Sequence, residues 1–168
     1  MPSTGPRDRA GIGLKDEEMR TIVVASALIT REGKILFTQR REGDDQGLLW
    51  EFPGGKVENG EDPRQALERE LGEELGIEGK AGPLFDVSFH SYPKYPVLLL
   101  VYHFEIQRGI PRLLGCRDLR WVTLDEMEEL PMPLADEPIR RRLLSSEGKL
   151  LMAQDRQGFL GLKAFKTG

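Results

Sequence analysis

Between Gly55 and Ile77 the chain reads Gly-x5-Glu-x7-Arg-Glu-Leu-x-Glu-Glu-x-Gly-Ile, a glycine-rich turn running into a segment with helix signals at both ends. Asp62 suits an N-cap, Pro63 the first helical position and Gln65 the return arm of a capping box, while Gly76 suits the C-terminal cap. Leu67, Leu71 and Leu75 recur at helical spacing and predict the buried stripe. At about 100° per residue, Glu70, Glu73 and Glu74 fall within an arc of roughly 100° beside that stripe. Exposed carboxylates so placed repel by a few tenths of a kcal/mol per pair. A divalent cation bridging them to a phosphate-bearing substrate is the most economical reason to keep them together. Taken without the flanking residues, the same run reads as an ordinary solvated face.

The rest of the chain predicts one domain. Residues 1–20, rich in glycine, proline and charge, read as a flexible tail. Strands are expected at Thr21–Thr30, Lys34–Gln39, Leu84–Ser91, Val97–Ile106 and Leu119–Val122, with a short extended piece at Trp50–Phe52 stopped by Pro53-Gly54-Gly55. A helical turn is expected at Leu124–Leu130 and a last helix from Asp136 to Ser146. Residues 148–168 stay ambiguous, because Leu150-Leu151-Met152 and Phe159-Leu160 read equally as added strands, a pairing surface or a loose tail. The domain is therefore drawn as 21–147.

Composition removes several classes of function. Charged residues are 31% and hydrophobic ones 39% of 168, the balance of a folded globular chain rather than a disordered one. The formal charge of −4 argues against a nucleic-acid polymer as partner, since such sites show a clustered basic footprint. Cys116 is the only cysteine, so a disulfide within the chain is excluded and a reducing compartment is expected. The longest apolar run, Val97–Tyr102, falls far short of the roughly 20 residues that span a bilayer. A cytoplasmic monomer or homodimer without a membrane partner is the expectation.

The 55–77 pattern resembles the Nudix signature at every specified position. Leu49-Trp50-Glu51-Phe52-Pro53-Gly54-Gly55-Lys56-Val57-Glu58, Leu119-Arg120-Trp121-Val122 and the segment Leu130–Ile139 resemble MutT-like members of that family, so the likeness runs from about Thr21 to Leu144. The resemblance implies an α+β fold, a mixed β-sheet sandwiched between α-helices. It also implies hydrolysis of a nucleoside diphosphate linked to another group; in MutT-like members a nucleoside triphosphate gives the monophosphate and pyrophosphate.

Carboxylate donors suit Mg2+, with Mn2+ as an alternative. Glu70, Glu73 and Glu74 are the candidate ligands and catalytic residues, and Glu70 is the first choice for the base that polarises water. By resemblance the Gly54 carbonyl adds a ligand, and Gly55 belongs to the same close-approach turn. Glu61 and Arg69 read as an ion pair bracing the loop against the helix. Lys56 and Arg40 are candidate phosphate ligands, and the resemblance gives Arg40 a nucleotide contact. Trp50, Trp121, His90, His103 and Cys116 read as structural.

Specificity points to Asp136. By resemblance it faces the base; the plain alternative is an N-cap. An ionised Asp only accepts hydrogen bonds, which suits the N1–H and amine of a guanine or the amine and protonated N3 of a cytosine. Oxidised guanine and cytosine-type triphosphates both stay open. One departure stands out: where many MutT-like members bring an acidic ligand from a loop, this chain has Gly115, Cys116 and Arg117, with Asp118 reading as a strand start. The leading function is thus a metal-dependent triphosphate pyrophosphohydrolase clearing damaged or excess nucleotides. A Nudix enzyme of a nucleotide sugar or dinucleoside polyphosphate, and a non-catalytic nucleotide-binding module, are the competitors.

Overall fold

The structure is a computed structural model and describes residues 19–157. The elements run β1 (Ile22–Leu28), β2 (Thr30–Arg31), β3 (Lys34–Gln39), β4 (Trp50–Glu51), β5 (Gly54–Lys56), α1 (Pro63–Leu75), β6 (Glu78–Ser91), β7 (Pro96–Arg108), β8 (Asp118–Val122), α2 (Leu124–Glu128), a 3-10 turn (Leu134–Asp136), α3 (Glu137–Leu144) and α4 (Ser146–Arg156).

Two sheets form rather than one. The first has the order β5-β1-β7-β6, with β1 parallel to β7 and the outer pairs antiparallel, so it is the expected mixed sheet. The second is built on β3, which pairs antiparallel with β2, β4 and β8. Alternation along these strands feeds two cores. On β3, Leu36 packs under α1 with Ala25, Ala27, Leu67, Leu71 and Leu75, while Ile35 and Phe37 join Trp50, Phe52, Ile139, Leu143 and Met152 beneath α3 and α4. Helices therefore cover both sides, with the signature helix α1 on one.

The ends of α1 form as their residues dictate. Asp62 accepts from the backbone N–H groups of Arg64 and Gln65, and Gly76 closes the helix in the left-handed conformation at φ 67°. Leu67, Leu71 and Leu75 are fully buried, each worth roughly 1.5–3 kcal/mol of apolar transfer.

Three local expectations need correction. Gly54-Gly55 does more than stop a strand: Gly54–Lys56 itself pairs with Val24–Ser26. The last helix breaks at Ser145, whose extended backbone ends α3 and whose hydroxyl caps α4 by accepting from Gly148 N–H. The boundary drawn at 147 is too early. Leu150-Leu151-Met152 is helical, Met152 is buried in the core, and Asp155 accepts from Thr30 Oγ1 and Gly33 N–H, both at 2.8 Å. Three consecutive apolar residues cannot distinguish strand from helix; the Ser145 cap and the buried i, i+4 pair Gly148 and Met152 decide it. Phe159-Leu160 and residues 1–18 of the expected tail 1–20 lie outside the described residues. Among the described residues no helix is long and apolar enough to cross a membrane.

Candidate active site

Strand β5 lies against α1 because Gly55 has no side chain. A Cβ there would fall 2.3 Å from Glu70 Cδ, so the Glu70 carboxyl rests directly on the loop backbone. Arg69, beside it, organises the cluster. Its Nε and Nη2 donate to the two Glu61 oxygens at 2.8 and 2.9 Å, its Nη1 donates to Glu70 at 3.0 Å and Glu73 at 3.3 Å, and Nη2 also donates to the Lys56 carbonyl at 3.3 Å. The expected brace between Glu61 and Arg69 is thus present. Hydrogen bonding from Arg69 holds the Glu61 carboxyl down at about 2.

Glu74 has no such partner. Burial, then the charges of Glu70 and Glu51, push its pKa up to about 8. Among the described residues no three His, Cys, Asp or Glu side chains stand at metal-ligating spacing, and Arg69 draws Glu70 and Glu73 to itself. The donor set nevertheless fits a hard divalent ion. Every donor is a carboxylate or carbonyl oxygen, and at Glu74 burial and the charges of Glu70 and Glu51 outweigh the opposing charge of Arg40.

A cleft of about 160 Å3 lies beside this cluster, lined among others by Gly54, Gly55, Lys56, Arg40, Glu51, Tyr92, Pro133 and Asp136. Of the expected site residues, the cleft brings together Arg40, Gly54, Gly55, Lys56 and Asp136. Glu70 touches it through Gly55. Arg40 is oriented rather than free: its Nε donates to the Asp45 carbonyl at 2.7 Å and its Nη1 to both Glu51 oxygens at 3.2 and 3.3 Å.

Asp136 is 5% exposed. It makes no side-chain cap to α3, so the N-cap reading fails. Burial first, then the Glu51 charge, raises its pKa well above the usual carboxylate value, against a hydrogen bond from the Phe52 backbone and the charge of Arg40.

Sequence reasoning missed Glu51, Gln46, Tyr92 and Tyr95, which also line the cleft. Strand alternation held a signal for one of them: Trp50 and Phe52 are buried on one side, which turns Glu51 to the other. The remaining residues meet only through tertiary folding. The Tyr92 hydroxyl accepts from Ala135 N–H at 2.9 Å, and the Tyr95 hydroxyl bonds the Asp45 carboxylate.

The loop before β8 supplies no acid. The N–H groups of Leu114 and Gly115 donate to the Glu74 carbonyl at 3.1 and 3.0 Å, and that of Arg112 to the Leu75 carbonyl at 2.9 Å, so the loop caps the C-terminal end of α1. A Cβ on Gly115 would come within 2.9 Å of Glu74 Cγ. Asp118 stands at the start of β8, accepting from Leu119 N–H and pairing with Arg120. Cys116 is half-buried, its thiol pushed up to about 11 by burial and by Glu74. His103 packs edge-on against Phe85, His90 packs against Tyr92, and Trp50 lies in the core.

The family model described as the NUDIX domain matches residues 19–159. The chain belongs to the Nudix family. This Nudix hydrolase is 40% identical over 121 residues to the CTP pyrophosphohydrolase of Escherichia coli strain K12, covering 72% of this chain and 90% of that one. It is 36% identical over 129 residues to the 8-oxo-dGTP diphosphatase of Haemophilus influenzae, covering 76% and 95%. The solution structure of the E. coli ORF135 protein superposes with a TM-score of 0.65 at 39% identity, over 73% of this chain and 88% of that one. As a Nudix hydrolase the chain acts on an acid anhydride of a nucleotide substrate, with a divalent metal ion.

Proposed function

We propose that this Nudix hydrolase cleaves nucleoside or deoxynucleoside triphosphates to the monophosphate and pyrophosphate, with a cytosine-type base or 8-oxoguanine beside Asp136, and so clears unwanted nucleotides. The observation that carries this reading is Asp136, buried, making no cap to α3 and lining the same cleft as Gly54, Gly55 and Lys56. The names of the relatives, a CTP pyrophosphohydrolase and an 8-oxo-dGTP diphosphatase, support the same two bases. A carboxyl at this position can meet the amine edge of a cytosine or the N–H edge of an oxidised guanine.

Magnesium is the ion proposed, with manganese as substitute, held by Glu70, Glu73, Glu74 and the Gly54 carbonyl. When bound it neutralises phosphate charge and makes a water more acidic. Glu70, fixed against Gly55, is the base that takes the proton from the attacking water. Arg69 keeps its two bonds to Glu61 and so holds the loop in register with the helix. Lys56 and Arg40 meet phosphate oxygens, Arg40 with its orientation set by Glu51 and the Asp45 carbonyl. The bond broken joins the α-phosphate to the leaving pyrophosphate.

The test is a panel of ordinary and oxidised triphosphates, nucleotide sugars and dinucleoside polyphosphates, assayed with Mg2+ for pyrophosphate and monophosphate. Triphosphates should give pyrophosphate, and Glu70→Gln should cut the rate by orders of magnitude with the fold intact. Turnover confined to sugars or dinucleotides would overturn the substrate reading. Full activity in Glu70→Gln would remove α1 from the chemistry.

A further inference from the structure

The loop from Arg40 to Leu49 is exposed over residues 41–45, yet Gln46 on its far side is half-buried and lines the cleft. Its backbone sits at φ 55°, a left-handed conformation that glycine or asparagine adopts more readily than glutamine. Strain of this kind, of order 1–3 kcal/mol, persists where the surroundings hold the residue and gathers at ligand-binding positions. The loop would accept glycine here without that cost. Its neighbours say what the side chain is kept for. The Gln46 side chain lies near the Tyr92 hydroxyl, and that hydroxyl accepts from the N–H of Ala135, the residue before Asp136. Gln46, Tyr92 and Asp136 thus line one cleft, beside the apolar side chains of Val24, Val97, Leu99 and Phe52 and the charged ones of Arg40 and Glu51.

We propose that Gln46 is a base-selecting residue, its amide reading the nucleobase edge together with Asp136. The inference rests on the triphosphate reading above and adds to it the residue that separates one base from another. An amide carries both donors and an acceptor, so it reports whether a base presents the complementary group. A base that mismatches it leaves a buried polar atom unpaired, which is how a site rejects near-isosteres.

Gln46→Gly tests this, because it deletes the amide while relieving the backbone. The measurements are kcat and KM for CTP, dCTP, dGTP and 8-oxo-dGTP with Mg2+, and thermal unfolding of each variant. The preferred substrate should lose about tenfold in kcat/KM through KM, the loss of one or two hydrogen bonds, while poor substrates keep their values and Tm is unchanged or higher. Gln46→Asn, which tolerates the same backbone and retains an amide, should restore part of the discrimination. Unchanged substrate ratios in Gln46→Gly would overturn the proposal and leave Gln46 as a brace for Tyr92. A wild-type protein that hydrolyses none of the four refutes the triphosphate reading itself, and this inference with it.

Discussion

Replacing Glu74 by glutamine should make the metal-free protein more stable while abolishing most of its activity. The Glu74 carboxyl titrates at about 8 in the fold against an ordinary value of 4.5, through burial and the charges of Glu70 and Glu51. The raised value means the folded state holds the proton more tightly than the unfolded one, so ionisation opposes folding. The penalty is absent below 4.5, grows between 4.5 and about 8, and is complete above that. At about 1.4 kcal/mol per pH unit the span corresponds to at most ~5 kcal/mol, and solvent screening at this half-buried side chain leaves about 2 kcal/mol. For a domain of this size that is a Tm rise of roughly 4–8 °C. The assay is thermal unfolding of wild type and Glu74→Gln in chelator, at about pH 9 and about pH 5. The variant should gain at the higher pH and gain little at the lower. Magnesium should then raise the wild type more than the variant, closing the gap. An equal shift at both pH values, or a loss at the alkaline one, would refute the idea that uncompensated charge at Glu74 drives cation binding.

Other outcomes follow from the same geometry. The Glu61 carboxyl, held at about 2 by Arg69, stabilises the fold above 4.5 and loses that contribution as pH falls from there towards 2. Glu61→Gln should therefore unfold at lower urea than wild type at neutral pH, with the two converging near pH 2–3. Leu71→Ala removes a fully buried side chain from under α1 and should cost about 2–5 kcal/mol by urea denaturation, the usual range for such cavities. Asp136→Asn exchanges a carboxyl oxygen for an NH2 donor, so it should keep hydrolysis within about tenfold while reordering the bases; an unchanged order across the triphosphate panel would reduce Asp136 to a buried polar group.

How far these features can be read without coordinates depends on how local their causes are. Helix α1 was legible because Asp62, Pro63, Gly76 and the leucine stripe act within a few residues of one another. The acidic face followed from helical geometry alone, and the bond between Glu61 and Arg69 from the signature. Strand β5 was not legible, since Gly54 and Gly55 lack any strand preference and pair only because β1 lies beside them. Helix α4 was hidden by an apolar triplet that suits either period. The burial of Asp136 depends on segments distant in sequence, and Gln46 and Tyr92 come to one cleft across some 46 positions. Residue type fixes what a side chain can do; only packing decides in which ionisation state, and beside which neighbour, it does it.

The clasp between Asp155 and the turn at Thr30 and Gly33 has a practical corollary for anyone trimming this gene. A product cut at residue 147 would lose the plug at Met152 and present greasy surface to its neighbours, inviting clumping on expression. Shortened versions should retain the chain through residue 156 at least.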